Sequence, residues 1–184
     1  SSAASITASI TSGTGTSGAT LSGATTVSAV NGVATFSGLG IDKAGSGYTL
    51  TLSSNGLTSA ITSEFSILTA SASALAFSVQ PTGGTAGDTS SLSTTVVITD
   101  SLGNVVTDAS SDITLGITSG TGDSSAELLG TATVTAINGV ATFDAVRIET
   151  AASGYTLTAS ASLLTSAVSA SFTIRPAAAT TLAF

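Results

Sequence analysis

The chain contains no cysteine, histidine, methionine or tryptophan. Without histidine or cysteine it cannot form a Ser-His or Cys-His hydrolytic centre, and it has no thiolate to bind a metal. The lack of cysteine also excludes a disulfide framework, although it does not exclude secretion. The one lysine, Lys43, is the only candidate for a lysine general base.

Charge is sparse as well. Three Lys and Arg residues stand against ten Asp and Glu residues, which gives a net charge of −7. A chain with so few cations has no basic patch for phosphates, so neither nucleic acid nor an anionic membrane is an expected partner. No run of 18 apolar residues occurs, so we expect no membrane insertion in this segment. The scarcity of trypsin sites, one of them blocked by Pro176 after Arg175, suits an extracellular or cell-surface location.

What the sequence does contain is a long internal repeat. The stretch Asn31–Phe36, NGVATF, returns unaltered at Asn138–Phe143, an offset of 107 residues, and 41 of 77 residue pairs at that offset are identical without a gap. This pattern is typical of a tandem repeat about one domain long. We predict a partial repeat at 1–74 that lacks its opening strands, a complete repeat at 75–174, and a linker with the first strand of a further repeat at 175–184. The sequence is thus interpreted as a window on a longer chain.

The composition within each repeat favours strands. Val, Ile and Phe alternate with Thr and Ser, as at Ile6, Ala8 and Ile10, which is the period of a sheet with one buried face. Asn31-Gly32 predicts a type I′ hairpin turn, with Val33–Phe36 returning as the partner strand. On that strand Ala34 and Phe36 share one face, and we expect both Phe36 and its repeat Phe143 to be buried.

About eight short strands per 100 residues, separated by turn signals every 8 to 12 residues, predict an antiparallel β-sandwich. The fold class expected is therefore all-β, with tandem sandwich domains joined end to end by short linkers.

The order of these segments resembles a known family. LAFSVQP, VVITDSLGNVV, NGVATF, GYTLTAS and a closing SFTI are similar to the bacterial Ig-like repeats of the invasin and intimin (Big) type. The resemblance covers residues 75–174 and the visible part of the first repeat. It implies Ig-like domains strung together in large surface adhesins or extracellular fibres. It also implies that Tyr48 and Tyr155 are corner tyrosines whose hydroxyls tie a loop to the following strand; the alternative is a simple buried aromatic.

Two pairs of acids are the remaining candidates for catalysis. Asp108 with Asp112, or Asp123 with Glu127, could in principle act as paired carboxylates, but glycosidase-like work also needs a sugar platform of aromatics. Tryptophan is absent, and the Phe and Tyr residues lie at positions typical of a core. We therefore expect no enzymatic activity. An isopeptide crosslink is excluded in the complete repeat, which has no lysine.

One cluster suits a hard cation. Asp100, Asn104 and Asp108 surround a turn, with Asp88 expected at the same end of the sandwich, and such oxygen ligands suit Ca²⁺. The alternative is that these residues form the turn together with Gly103. Calcium is the one cofactor that the residue pattern suggests, and we expect no other.

Two functions remain open. The first is a stalk, spacer or fibre subunit, with neighbouring repeats or identical subunits as partners and polymerisation into a filament as an extension of the idea. The second is an adhesive module that recognises polysaccharide or a host protein through loops such as Pro81–Asp88 or Asp123–Leu129. The repeats retain NGVATF and GYTL while Thr16–Leu21 and Asp123–Leu128 diverge, which favours the structural role. A terminal strand at Thr181–Phe184 could also complete a neighbouring open sandwich.

Overall fold

A computed structural model of the protein describes residues 4–88 and 92–178. Every regular element in these two ranges is a β-strand, and nearly all strand pairs are antiparallel, so the all-β prediction is confirmed. The chain divides into two compact units, Ser1–Thr69 and Ala70–Phe184. The strand predicted at Thr181–Phe184 lies outside the described residues. The part of the chain that is described holds no helix that could cross a membrane.

The described residues of unit 1, 4–69, form eight short strands. Its main sheet has the order β3-β1-β6-β7, and two small pairs, β2-β4 and β5-β8, accompany it. The strands are β1 (Ser5–Ile10), β2 (Leu21–Ser22), β3 (Thr26–Ser28), β4 (Gly40–Ile41), β5 (Gly45–Tyr48), β6 (Leu50–Ser53), β7 (Ala60–Ile61) and β8 (Phe65–Ile67).

Unit 2 repeats this arrangement and adds a second substantial sheet. The sheet β14-β12-β18-β19 is accompanied by β15-β11-β9, by β10-β20-β17 and by the pair β13-β16. The strands are β9 (Ala74–Val79), β10 (Gly84–Thr85), β11 (Thr94–Thr99), β12 (Asp112–Ile117), β13 (Leu128–Gly130), β14 (Thr133–Thr135), β15 (Val140–Phe143), β16 (Val146–Ile148), β17 (Ala152–Tyr155), β18 (Leu157–Ser160), β19 (Ala167–Val168) and β20 (Phe172–Arg175).

The core of unit 2 lies between its sheets. Val96 and Phe143 from the β15-β11-β9 sheet belong to one buried cluster with Ile113 and Leu157 from the β14-β12-β18-β19 sheet. Because strand side chains alternate between faces, each sheet contributes every second residue to this cluster. The arrangement is consistent with a β-sandwich.

The Asn-Gly turns of the two NGVATF stretches adopt the predicted conformation, but their flanking strands do not pair as predicted. Asn138 and Gly139 have φ angles of 52° and 74°, both positive as a type I′ turn requires. The ladder stops at one bridge between Ile137 and Val140, because β14 then pairs with β12 while β15 pairs with β11. The predicted two-residue turn at Asn31-Gly32 is confirmed by the bridge between Val30 and Val33, but the prediction that Val33–Phe36 returns as a partner strand was wrong. In unit 2 the turn carries the chain from one sheet to the other.

The prediction that both NGVATF phenylalanines are buried was half wrong. Phe143 is 1% exposed, whereas Phe36 is only half-buried and residues 34–36 belong to no strand. In unit 2, β11 pairs with β15 and covers this position. The described residues of unit 1 contain no counterpart of β9 or β11, so Phe36 lacks the covering strands that bury Phe143.

Candidate functional site

The most distinctive polar geometry centres on the two tyrosines. Tyr48 and Tyr155 are both fully buried, and their hydroxyls donate to the backbone oxygens of Lys43 at 2.8 Å and Thr150 at 2.9 Å. A buried phenol needs such an acceptor, because an unpaired hydroxyl would lose its hydration without compensation. The predicted tie between each hydroxyl and the preceding loop is confirmed.

Each tyrosine ring is held between a phenylalanine and a glycine. The Tyr155 and Phe172 rings stack with centroids 5.9 Å apart, and Tyr48 and Phe65 do so at 6.0 Å. A Cβ on Gly122 would lie 2.1 Å from the Tyr155 ring, and Gly122 has a φ of 63°. Only glycine therefore fits beneath the ring. The sequence signal for this role was present, since Gly15 occupies the same place beneath Tyr48.

Asp100 organises the turn proposed for calcium. Its side chain is 3% exposed, and one carboxylate oxygen, Oδ1, accepts hydrogen bonds from the backbone amides of Leu102 and Asn104, both at 2.9 Å. The other, Oδ2, accepts from the Ala70 amide at 3.1 Å and from the Asn104 side-chain amide at 3.0 Å. The turn-forming interpretation therefore accounts for both carboxylate oxygens.

These contacts also set the ionisation of Asp100. Burial raises the pKa of the carboxyl, but the hydrogen bonds from Asn104, Ala70 and Leu102 outweigh it and hold the pKa below its ordinary value. The carboxylate thus stays charged and paired with donors at neutral pH.

The other predicted calcium ligands are less closely grouped. Asp108 and Asp88 are exposed, and the Asp88 amide donates to the Thr85 carbonyl. Across residues 4–88 and 92–178, no three acidic, histidine or cysteine side chains form a group that could hold a metal ion. Calcium binding at Asp100, Asn104 and Asp108 stays a prediction.

Of the four acidic candidates for catalysis, Asp112 and Asp123 make structural contacts, while Asp108 and Glu127 are exposed. Asp112, at the start of β12, accepts a hydrogen bond from the Thr135 hydroxyl on the neighbouring strand β14. Asp123 accepts from the amide and hydroxyl of Ser125 at 2.8 and 2.6 Å, which lowers the pKa of Asp123. These are a cross-strand pair and a local turn.

The segment Pro81–Asp88, predicted to be a loop and named as a contact of the adhesive alternative, is partly a strand. Gly84 and Thr85 form β10, which pairs in parallel with Ile174 and Arg175 of β20. A Cβ on Gly83 would lie 2.3 Å from the Thr173 oxygen, so this backbone approaches β20 closely. Sequence patterns could not show this contact, because two-residue strands carry no periodic signal. The segment Asp123–Leu129, in contrast, is mostly an exposed turn that enters β13.

No protein-family model and no curated protein matches the chain.

Proposed function

We propose that the chain is a structural repeat region, a stalk, spacer or fibre subunit, of a large bacterial cell-surface or extracellular protein. Its units are tandem Ig-like domains, similar to the invasin and intimin repeats and placed end to end. The observation that carries this proposal is a hydrogen-bond network that recurs in both units at the 107-residue offset, while the charged side chains, apart from the acids Asp42 and Glu149, do not recur.

The recurring network surrounds the buried tyrosines. Thr14 donates its hydroxyl to the Thr11 carbonyl at 2.8 Å, and Thr121 donates to the Thr118 carbonyl at 2.7 Å. The same two hydroxyls accept from the backbone amides of Thr49 and Thr156, at 3.3 and 3.2 Å.

The threonines at the start of these turns are tied to the sheet as well. The Thr11 hydroxyl pairs with that of Thr51, and the Thr118 hydroxyl with that of Thr158, each at 2.8 Å. The repeat therefore retains the individual hydrogen bonds by which threonine side chains hold the loop against the sheet.

The positions that could carry recognition or reaction chemistry differ between the units. Asp42 accepts from the amide and hydroxyl of Thr20, at 2.7 and 2.8 Å. At the corresponding positions unit 2 has Glu149 and Glu127, and Glu149 instead forms an ion pair with Arg147 at 3.0 Å. A binding site repeated for avidity would keep its contacts as well as its charges. An acid recurs at Asp42 and Glu149 but its partner does not, and this difference supports the structural role over the adhesive one.

The location can be tested on cells that produce the parent protein. Antibodies raised against residues 1–184 should label intact cells or extracellular fibres, and proteinase K added outside should remove the label. Label only after permeabilisation would refute the proposal. Screening the purified chain against glycans and host matrix proteins separates the two functions: saturable binding lost on replacing residues 123–129 would favour the adhesive module.

A further inference from the structure

Unit 1 carries an open apolar groove on the face of its main sheet. Half-buried and exposed apolar side chains surround a volume of about 260 Å³, between β1, β6, β7 and the segment after the Asn31-Gly32 turn. The apolar residues that line it are Ile6, Ala34, Phe36, Leu52, Leu57 and Ala60.

The corresponding residues of unit 2 are covered. Ile113, Ala141, Phe143 and Ala159 are at most 1% exposed, whereas their counterparts in unit 1 are all half-buried. Each of these unit-2 residues stands 107 positions after its counterpart. The two units therefore have equivalent surfaces, which are covered in unit 2 and uncovered in unit 1.

In unit 2 the cover is the strand pair β9-β11. Val96 and Ile98 of β11 are fully buried in the same cluster as Phe143, and Leu75 of β9 joins them. The backbone of β11 also pairs with β15, with Thr94 opposite Phe143 and Val97 opposite Val140. The strand pair β9-β11 thus contributes both apolar side chains that pack on the buried surface and backbone hydrogen bonds to the edge of β15.

We propose that the groove of unit 1 is a docking site for a two-stranded β segment with the β9-β11 pattern, contributed by a segment of the same repeat in which β11 is not paired with a β15 of its own. The incoming segment pairs its equivalent of β11 with residues 33–36, so that its Thr94 equivalent lies opposite Phe36 and its Val97 equivalent opposite Val33. Strand addition of this kind takes its affinity from main-chain hydrogen bonds and its specificity from alternate side chains.

Two observations support this occupant, and the second of them argues against a second copy of the whole chain. First, residues 34–36 belong to no strand, so an edge is open to pairing. Secondly, within each copy β11 already lies between β9 and β15, so neither of its edges is free. A donor must bring β11 with one edge unpaired, as a segment joined directly ahead of unit 1 would.

The test is a chain extended by a second copy of residues 75–107 directly before Ser1. This junction reproduces the natural step from Thr107 to Asp108, since Ser1 and Asp108 correspond. Amide hydrogen exchange at residues 33–36 should slow by about tenfold or more relative to the unextended chain, because those amides enter a ladder. Exchange at Val140–Phe143, already paired, should not change.

The matched control is the same extension with V96D and I98D in the added copy only. It has the same length, but carries charges at two positions that are fully buried in unit 2. It should leave exchange at residues 33–36 as fast as in the unextended chain. Equal protection by both extensions, or by neither, would overturn the proposal.

A second copy as occupant would give a different result. Protection of residues 33–36 in the unextended chain that rises with protein concentration, together with a dimer in sedimentation, would overturn the choice of occupant. The inference rests on the repeat relation used in the proposed function. The two can nevertheless fail separately, because labelling of intact cells does not depend on the groove.

Discussion

Truncation of Phe143 should destabilise unit 2 strongly. The ring is 1% exposed and belongs to the cluster between the sheets. Loss of its transfer free energy, about 1.5 to 3 kcal/mol, combines with the cavity left behind to give about 3 to 5 kcal/mol for Phe143→Ala. Phe36→Ala is the natural control, because the same substitution at a half-buried ring on an open face leaves less of a cavity. We expect that change to cost roughly half as much.

Urea unfolding followed by tyrosine fluorescence can resolve the two units, since each contains one tyrosine. In a Tyr48→Phe background Tyr155 reports unit 2, and in a Tyr155→Phe background Tyr48 reports unit 1. Each alanine variant is compared with its own background. Undiminished stability in Phe143→Ala would show that the assigned register is wrong. Equal losses of stability at Phe143 and Phe36 would show that Phe36 is not left uncovered in unit 1.

Four further predictions concern single sites. Gly122→Ala should lower the free energy of unfolding in urea by more than about 2 kcal/mol, because the added Cβ meets the Tyr155 ring. Gly120→Ala is the control: its φ is left-handed at 79° but no atom lies within 4 Å of the added Cβ, so it should cost about 1 kcal/mol. Leu163→Gly should raise stability by up to about 1 kcal/mol, since this exposed leucine has a φ of 63°. Asp100→Asn should cost about 1.5 to 3 kcal/mol at pH 7. The pKa of Asp100 in the folded state is lowered, so the greater stability of wild type over Asp100→Asn is present above pH 3.8. This difference in the free energy of unfolding should disappear as the pH falls through the lowered pKa. A difference that does not change with pH would contradict this. If calcium binds at the Asp100 turn, the melting temperature should rise in calcium relative to chelator, and an unchanged value would refute the site.

The sequence predicted those features that depend on local chemistry. The positive φ at Asn138-Gly139 followed from the residue types of the turn. The tie of the Tyr155 hydroxyl was expected from the resemblance to Ig-like repeats, and a buried phenol needs such an acceptor in any case. Alternation along Val140–Phe143 likewise identified the buried face, since the period of two holds whichever strand is the neighbour.

Strand partners could not be predicted in the same way. A type I′ turn is compatible with a hairpin, yet β14 and β15 pair with β12 and β11 because those distant strands complete the two sheets. The exposure of Phe36 was missed for a related reason: alternation says which way a side chain points, but burial requires a covering strand. At Asp100 the residue types suit both a calcium site and a turn. Only the positions of the backbone amides around the carboxylate show that its oxygens accept hydrogen bonds from within the protein.

The proposed arrangement of these units, as spacers placed end to end, is tested most directly by small-angle X-ray scattering of concatemers. Chains with two, four and eight copies of the 107-residue period should show a maximum dimension that rises in proportion to the number of copies. A dimension that grows only as the cube root of the mass, as for repeats packed into a compact particle, would contradict it.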